Sequence, residues 1–132
     1  VSIWNGNCIY YWVYLLAKAI GGSNVNKKRG KQSVIFSNPP IITSAANIVG
    51  PMEGEGLLGQ YFDKIMPDNL NGLESWEQCE SYMMEWAIKT AIKKENSNIE
   101  MIDCILAGDL LNQLMSTHFA MKKLNRPFLG LC

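Results

Sequence analysis

Charge is scarce in this 132-residue sequence, and neither sign prevails. Lys and Arg together number 12, Asp and Glu also number 12, and charged residues make up only 18% of the chain. Proteins that bind nucleic acid normally carry an excess of basic residues, so we expect no nucleic-acid partner. Hydrophobic residues make up 48% of the chain, which is typical of a globular domain rather than of a disordered chain. A chain of this length can bury a core without disulfides or metal.

Residue types that bind metals or act as catalytic bases are also scarce. His118 is the single histidine, and the cysteines, Cys8, Cys79, Cys104 and Cys132, form no C-x-x-C pair. We therefore expect no zinc or iron–sulfur site and no cofactor. Because His118 is the single histidine that could act as a base, we expect no catalysis within this chain. Without a signal peptide, free thiols in a reducing compartment are the simplest interpretation of the cysteines.

The most apolar stretch, residues 8–17, is too short to span a membrane. It has about half of the roughly 20 apolar residues that a spanning helix needs, and it lacks the basic start and small-residue cleavage site of a signal peptide. A basic cluster at residues 27–31 follows, which is typical either of a solvated linker or of a segment that meets anionic lipid. Because the composition changes after Gly21-Gly22, we expect residues 1–30 to be an extraneous or flexible extension and residues 31–132 to form the domain.

Alternating apolar segments predict an α/β fold. Short strands are predicted at residues 33–36, 41–48, 102–107 and 128–131, and helices at residues 75–95 and 111–124. From residue 41 onward the order is strand, helix, strand, helix, strand. This order is typical of βαβαβ crossovers within a mostly parallel sheet.

Residues 75–95 carry the clearest helix signals. Ser75 and Gln78 form a capping-box pattern at the start, and Glu85 with Lys89 forms an i,i+4 ion pair. The apolar positions at helical spacing are Trp76, Cys79, Met83, Trp86, Ala87 and Ala91. Aromatic residues at such spacing are usually core, so we interpret Trp76 and Trp86 as core residues rather than as a platform for stacking a ligand.

A glycine-rich loop at residues 50–59 contains a G-x-G-x-x-G pattern at Gly54, Gly56 and Gly59. In a dinucleotide site such glycines let backbone N–H groups approach a pyrophosphate at a helix N-terminus. Here Glu53 and Glu55 would place carboxylates against the phosphates. We therefore predict a flexible surface loop rather than a nucleotide site.

Three residues near predicted strand ends or on the last helix are candidates for chemistry. Ligands of parallel sheets gather beyond the carboxyl ends of the strands, where Asp109 and Cys132 stand. We interpret Asp109 as a helix cap, with an acid/base role as the alternative. His118 is interpreted as a packed or half-exposed residue, with a role as a base as the alternative. Cys132 ends the sequence beside its own carboxylate, which disfavours the thiolate, so no catalytic residue is assigned.

Several motifs resemble the stage V sporulation protein AD family of endospore-forming bacteria. The resemblance runs from about Gly30 to Leu131. The motifs are Lys31-Gln32-Ser33-Val34-Ile35-Phe36, Ile48-Val49-Gly50-Pro51-Met52-Glu53-Gly54-Glu55-Gly56, Phe62-Asp63, Ser75-Trp76-Glu77, Leu106-Ala107-Gly108-Asp109-Leu110-Leu111-Asn112-Gln113 and Arg126-Pro127-Phe128-Leu129-Gly130-Leu131.

The resemblance implies the N-terminal part of a thiolase-like, ketoacyl synthase III-like fold. It also implies a non-enzymatic function: binding dipicolinic acid and its uptake into the developing spore, together with other spore membrane proteins of the same operon. The full-length protein is then expected to be a homodimer, peripheral to the cytoplasmic face of the spore inner membrane. The alternative is a fragment of a thiolase-like acyltransferase that lacks its catalytic residues.

The resemblance leaves the ligand site weakly defined in this sequence. The candidates are Asp109, Asn112 and Cys132. In the family, Phe-Leu-Gly-Leu leads into a Gly-Ala-Cys-Ser turn, whereas here Cys132 follows Leu131 directly, so the nucleophile position is not carried over to it. A part of such a fold is expected to leave apolar faces of the helices of Trp76 and Leu114 exposed, which predicts a chain that is aggregation-prone or marginally folded.

Overall fold

The computed structural model describes residues 10–16, 28–31, 33–35, 41–109, 111 and 114–131. The strands are β1 Tyr10–Leu16, β2 Lys28–Arg29, β3 Ser33–Val34, β4 Ile42–Val49, β5 Lys64–Ile65, β6 Ile105–Ala107 and β7 Phe128–Gly130. The α-helices are α1 Pro51–Gly54, α2 Trp76–Lys94 and α3 Met115–Leu124, and 3₁₀ turns lie at Gly59–Tyr61 and Ile99–Met101. This arrangement confirms the predicted α/β class.

The described strands form three small sheets rather than one. Strand β4 pairs with β1 in an antiparallel and with β5 in a parallel arrangement. Strands β2 and β3 form an antiparallel pair, and β6 pairs in parallel with β7. The unit β6–α3–β7 is therefore one crossover of the predicted kind, but β4 and β6 lie in different sheets. The prediction of one mostly parallel sheet was wrong in that respect, because α2 returns the chain to a separate pair of strands.

Strand β1 lies within residues 1–30, for which the sequence predicts an extension. Its register runs from Tyr10 opposite Val49 to Leu16 opposite Ile42, with an irregularity between Leu15 and Leu16. Residues 1–9 and 17–27 lie outside the described residues. The extraneous origin of the extension stays a prediction, as does contact of the basic cluster with lipid.

Helix α2 begins and ends where its local signals predict. The Ser75 hydroxyl accepts from the Gln78 N–H at 3.2 Å, and the Gln78 side chain accepts from the N–H of Glu74, one residue before the predicted partner of the capping box. The predicted Glu85–Lys89 pair is present at 2.6 Å. The cap and the ion pair each stabilise this helix of 19 residues locally.

Two hydrophobic clusters lie on different sides of α2. One packs Cys79, Met83 and Ala87 of α2 against Ile48 of β4 and Met66. The other packs α2 against α3 and the β6–β7 pair, through Met84, Ile88, Ile92, Ala107, Ala120, Met121 and Leu124. Because α2 is buried on two sides, more of its residues are buried than the single apolar stripe that the sequence predicts.

The structure corrects the core prediction for one of the two tryptophans. Trp86 packs against the cluster around Met83, as predicted. Trp76 is 41% exposed, so its prediction as a core residue was wrong. As the first residue of α2, it precedes the turns of the helix that pack on β4.

A charged bridge joins α2 to α3. Glu85 contacts Lys89 at 2.6 Å and Lys123 of α3 at 3.1 Å. Partial burial by itself raises the pKa of the Glu85 carboxyl, but the hydrogen bonds and charges of the two lysines outweigh it, so the pKa is lowered from its ordinary value. The bridge therefore favours the ionised carboxylate between the two helices.

The strand predicted at residues 102–107 is shorter than expected. A 3₁₀ turn at Ile99–Met101 precedes it, and the Asn98 side chain accepts from the Glu100 N–H. Only Ile105–Ala107 pairs with β7.

Within the described residues, no helix is both long and apolar enough to cross a bilayer.

The glycine-rich loop is ordered by short helical turns and close backbone packing. Helix α1 ends at Gly54, and a Cβ on Gly59 would overlap the carbonyl oxygen of Gly54. A Cβ on Gly54 would in turn overlap the side chain of Ile65 in β5. Most of the predicted flexible loop lies at the surface, where it is built of defined turns because its glycines permit this close approach; its flexibility stays a prediction.

Candidate functional site

The carboxyl ends of β6 and β7 come together with the start of α3. The N–H of Leu131 donates to the carbonyl oxygen of Ala107 at 2.8 Å. A Cβ on Gly108 would overlap the carbonyl oxygen of Leu131, and one on Gly130 would overlap the side chain of Leu114. Glycine is required at Gly108, where the overlap is with backbone, whereas at Gly130 the overlapping atom is a terminal methyl group of Leu114 that can shift.

Asp109 connects this strand edge to α3. Its Oδ1 accepts from the N–H of Leu114 at 2.9 Å, and its Oδ2 accepts from the N–H of Thr117 at 2.9 Å. The carboxylate therefore satisfies two amides at the positive end of a helix, where a negative charge is favoured. The interpretation of Asp109 as a cap is confirmed, although it acts from six residues before Met115.

The same capping geometry corrects the predicted start of the last helix. The sequence predicts a helix from residue 111, whereas α3 begins at Met115. Leu114 has a left-handed backbone with φ of 72°, which ends any regular helix on its N-terminal side. The C-terminal end agrees with prediction, because Asn125, two residues before Pro127, adopts φ of 51° and donates to Met121.

The first turn of α3 carries buried hydroxyl groups. Ser116 and Thr117 are fully buried, and their hydroxyl oxygens have no hydrogen-bond partner within the part of the chain that the structure describes. Their backbone is nevertheless well anchored, because the N–H of Thr117 donates to Asp109. The beginning of α3 thus combines one carboxylate with two buried hydroxyls.

His118 packs against the last strand. Its ring meets the ring of Phe128 edge-on, with centroids 5.0 Å apart and planes at 87°, while the residue as a whole stays exposed. The ring contact agrees with the interpretation of a packed histidine, although His118 is exposed rather than half-exposed. In the described residues, no group of three His, Cys, Asp or Glu side chains is arranged to hold a metal ion.

A polar clamp between β4 and the segment before β5 escaped the sequence analysis. Asp63 and Asn47 exchange two hydrogen bonds, from Asn47 N–H to Asp63 Oδ2 at 3.0 Å and from Asp63 N–H to Asn47 Oδ1 at 2.8 Å. Lys94, at the end of α2, donates to both oxygens of Asp63 at 2.6 and 2.7 Å and to the Ala45 carbonyl at 2.8 Å. No local pattern marks this clamp, because its members are 16 to 49 residues apart in sequence.

An aromatic cluster lies next to the clamp. The Lys64 ammonium donates to the Tyr82 hydroxyl and lies 5.0 Å from the centroid of the Tyr82 ring and 5.4 Å from that of Trp86. These are cation–π distances. The cluster holds β5 against α2.

Cys79 has a buried thiol that contacts other groups of the same chain. Its sulfur lies 3.9 Å from the sulfur of Met66 and 3.5 Å from the carbonyl oxygen of Asn69. Burial, followed by the negative charges of Asp68 and Glu80, raises the pKa of the thiol to about 11. A thiol with so high a pKa is a poor nucleophile at neutral pH.

Comparison with known proteins decides the family. The family model described as Stage V sporulation protein AD (SpoVAD) matches residues 30–132. Stage V sporulation protein AD of Bacillus subtilis (strain 168) is 40% identical over 103 residues, which make up 78% of this chain and 30% of that protein. The chain belongs to the stage V sporulation protein AD family. It is therefore a member of a family of sporulation proteins, and it spans 30% of the length of the Bacillus subtilis relative.

The residues matched by the family model include every site described above. They include the edge around Asp109, the Asp63 clamp and the Lys64 cluster, while β1 lies before the first matched residue. Of the three candidate ligand residues, the structure places only Asp109. Asn112 and Cys132 lie outside the described residues, so their roles in the stage V sporulation protein AD site stay predictions.

Proposed function

We propose that this chain takes part in non-enzymatic binding of dipicolinic acid and in its uptake into the developing spore. The observation that carries the proposal is membership of the stage V sporulation protein AD family over residues 30–132. The same proposal includes other spore membrane proteins of the operon as partners. It also includes a homodimeric full-length protein, peripheral to the cytoplasmic face of the spore inner membrane.

The roles of the ionisable groups support binding rather than catalysis. Asp109 caps α3 with both oxygens, Asp63 is held by Asn47 and Lys94, and burial suppresses ionisation of the Cys79 thiol. A nucleophile needs a base within hydrogen-bond reach. These groups are instead committed to holding the backbone.

The negative charge of Asp109 argues against direct contact between this residue and dipicolinate. The ligand carries two carboxylates at neutral pH, and a third carboxylate in contact with it would repel it. We propose that Asp109 is a positioning residue, which holds the start of α3 beside the carboxyl ends of β6 and β7. The groups that contact the ligand then come from neighbouring residues and from the remaining length of the family's proteins, since this chain spans 30% of the relative.

Calorimetric titration tests the proposal. Dipicolinate is titrated into the full-length Bacillus subtilis relative and into this chain, with isophthalate as the matched ligand because it keeps both carboxylates but lacks the ring nitrogen. We expect saturable heat with dipicolinate and weaker heat with isophthalate for the full-length protein. Absence of saturable heat with dipicolinate would refute the proposal.

A second experiment, with acyl-CoA, tests the alternative of a thiolase-like acyltransferase. The same full-length protein is incubated with acyl-CoA, and both free CoA and protein mass are measured. We expect neither CoA release nor an acyl adduct. Turnover of acyl-CoA would favour the enzyme and contradict the non-enzymatic proposal.

A further inference from the structure

Lysine side chains cluster where α2 and α3 meet at the surface. Lys89 contacts one oxygen of Glu85 at 2.6 Å and Lys123 contacts the other at 3.1 Å, so the two ammonium groups lie close together on one carboxylate. Lys93 lies one turn beyond Lys89 on the same side of α2, and Lys122 precedes Lys123 in α3. We call Lys89, Lys93, Lys122 and Lys123 the basic patch.

The basic patch carries more positive charge than Glu85 neutralises. All four lysines are exposed, and neither Lys93 nor Lys122 forms an ion pair with another described residue. Residues 115–124 contain no Asp or Glu. Positive charge is therefore concentrated here, although the chain as a whole has a formal charge of zero.

The lysines of the basic patch are expected to stay at the surface in longer proteins of this family. Lysine is almost never fully buried without a partner, because burial of an unpaired charge costs far more than burial of an apolar side chain. The remaining length of such proteins can cover exposed apolar side chains at no such cost. The basic patch therefore stays accessible to a partner outside the chain.

The residue type of the basic patch suits a lipid surface better than an acidic protein. All four cations are lysines, which act as point charges on flexible stems, whereas arginine is the residue that forms fixed bidentate contacts with carboxylates. The phosphates of a bilayer are mobile and spread over a plane, so they require no fixed geometry. Clusters of about four or more such cations at a surface attract anionic lipid.

We propose that the basic patch, formed where α2 and α3 share Glu85, binds the headgroups of an anionic lipid bilayer. This inference rests on the peripheral membrane location in the proposed function, and it adds the surface that makes the contact. Dipicolinate binding is measured without vesicles, so failure of the lipid contact and failure of dipicolinate binding are separate results.

Cosedimentation of the chain with vesicles tests the lipid contact. The vesicles contain equal parts of phosphatidylglycerol and phosphatidylcholine, or phosphatidylcholine alone. We expect binding to the anionic vesicles only, and weaker binding as added salt screens the charges. Lys93→Gln with Lys122→Gln should lower the partition constant about 25-fold, because each lysine near an anionic surface contributes about a factor of five. Both substitutions leave the Glu85 bridge between the helices in place.

The matched control removes the same charge from the other basic cluster of the chain, at residues 27–31. Lys28→Gln with Arg29→Gln should leave the partition constant nearly unchanged, and circular dichroism confirms that each variant is folded. A parallel titration with poly-glutamate represents an acidic protein partner. The proposal would be overturned by absence of binding to anionic vesicles, by a control pair as damaging as the patch pair, or by patch-dependent binding to poly-glutamate that is tighter than binding to the vesicles.

Discussion

At the residue scale, the carboxylate of Asp109 determines where α3 begins. It accepts from two amides of the helix start, and removal of such a cap costs about 1 kcal/mol. We expect Asp109→Ala to lower the free energy of unfolding by about 1–2 kcal/mol, and Asp109→Asn by less, because its amide oxygen still accepts one hydrogen bond. Urea denaturation followed by circular dichroism measures both.

The matched control for Asp109 is Glu95→Gln. Glu95 is an exposed acid at the C-terminal end of α2, where a negative charge opposes the helix dipole. Its removal should leave stability unchanged or slightly raised. An Asp109→Ala variant as stable as the wild type would contradict the capping role.

Also at the residue scale, the thiols of Cys79 and Cys104 differ in burial. Cys79 is buried with a pKa raised to about 11, whereas Cys104 is exposed. At pH 8 only about one in a thousand Cys79 thiols is ionised, so we expect iodoacetamide to label Cys104 and to spare Cys79 in the folded chain. Peptide mapping by mass spectrometry reports each cysteine separately, and equal labelling of both in folded protein would contradict the burial.

The raised pKa of Cys79 also has a pH consequence. In the unfolded chain the thiol ionises near its ordinary value of 9.0, but in the folded chain only near 11. Its contribution to stability is therefore complete below about pH 9 and is lost as the pH rises toward 11. Urea denaturation at intervals across this range should show the decline, and Cys79→Ala should flatten it.

At the element scale, the packing of Gly59 on Gly54 keeps the glycine-rich loop in its turns. A methyl group at residue 59 would overlap a backbone carbonyl, which cannot move aside as a side-chain end can. We expect Gly59→Ala to cost about 2 kcal/mol of stability. Gly50→Ala is the control, because nothing lies within 4 Å of its added Cβ, and it should change stability by no more than about 0.5 kcal/mol. Equal effects of the two substitutions would show that the loop is not held as described.

At the scale of the whole molecule, the two hydrophobic clusters share one long helix, α2. The outer side of the β6–β7 pair exposes Leu106 and Leu129, whereas parallel strands in stable proteins are covered on both faces. We expect the chain by itself to be marginally stable, with a free energy of unfolding below about 5 kcal/mol, and to aggregate on heating. Scanning calorimetry of a dilute sample tests this, and a sharp, reversible two-state transition of the monomer would contradict it.

Local signals in the sequence determined much of this protein. The cap and ion pair of α2, the strand at Ile42–Val49 and the stop at Asn125 follow from residues within a few positions of each other, and the α/β class follows from the order of such segments. Capping, i,i+4 pairing and turn preferences act over that range, so they can be recognised without the tertiary structure. The motifs that indicate the sporulation family are local in the same sense.

Only the tertiary structure decided how these elements meet. It placed β4 and β6 in different sheets, paired β1 and the two-residue strand β5 with β4, and exposed Trp76. It also assembled Asp63, Asn47 and Lys94 into a clamp and shortened α3 through the side chain of Asp109. These outcomes depend on which apolar surfaces pack together and which distant polar groups satisfy each other on burial, and such choices between remote residues leave no periodic pattern in the sequence.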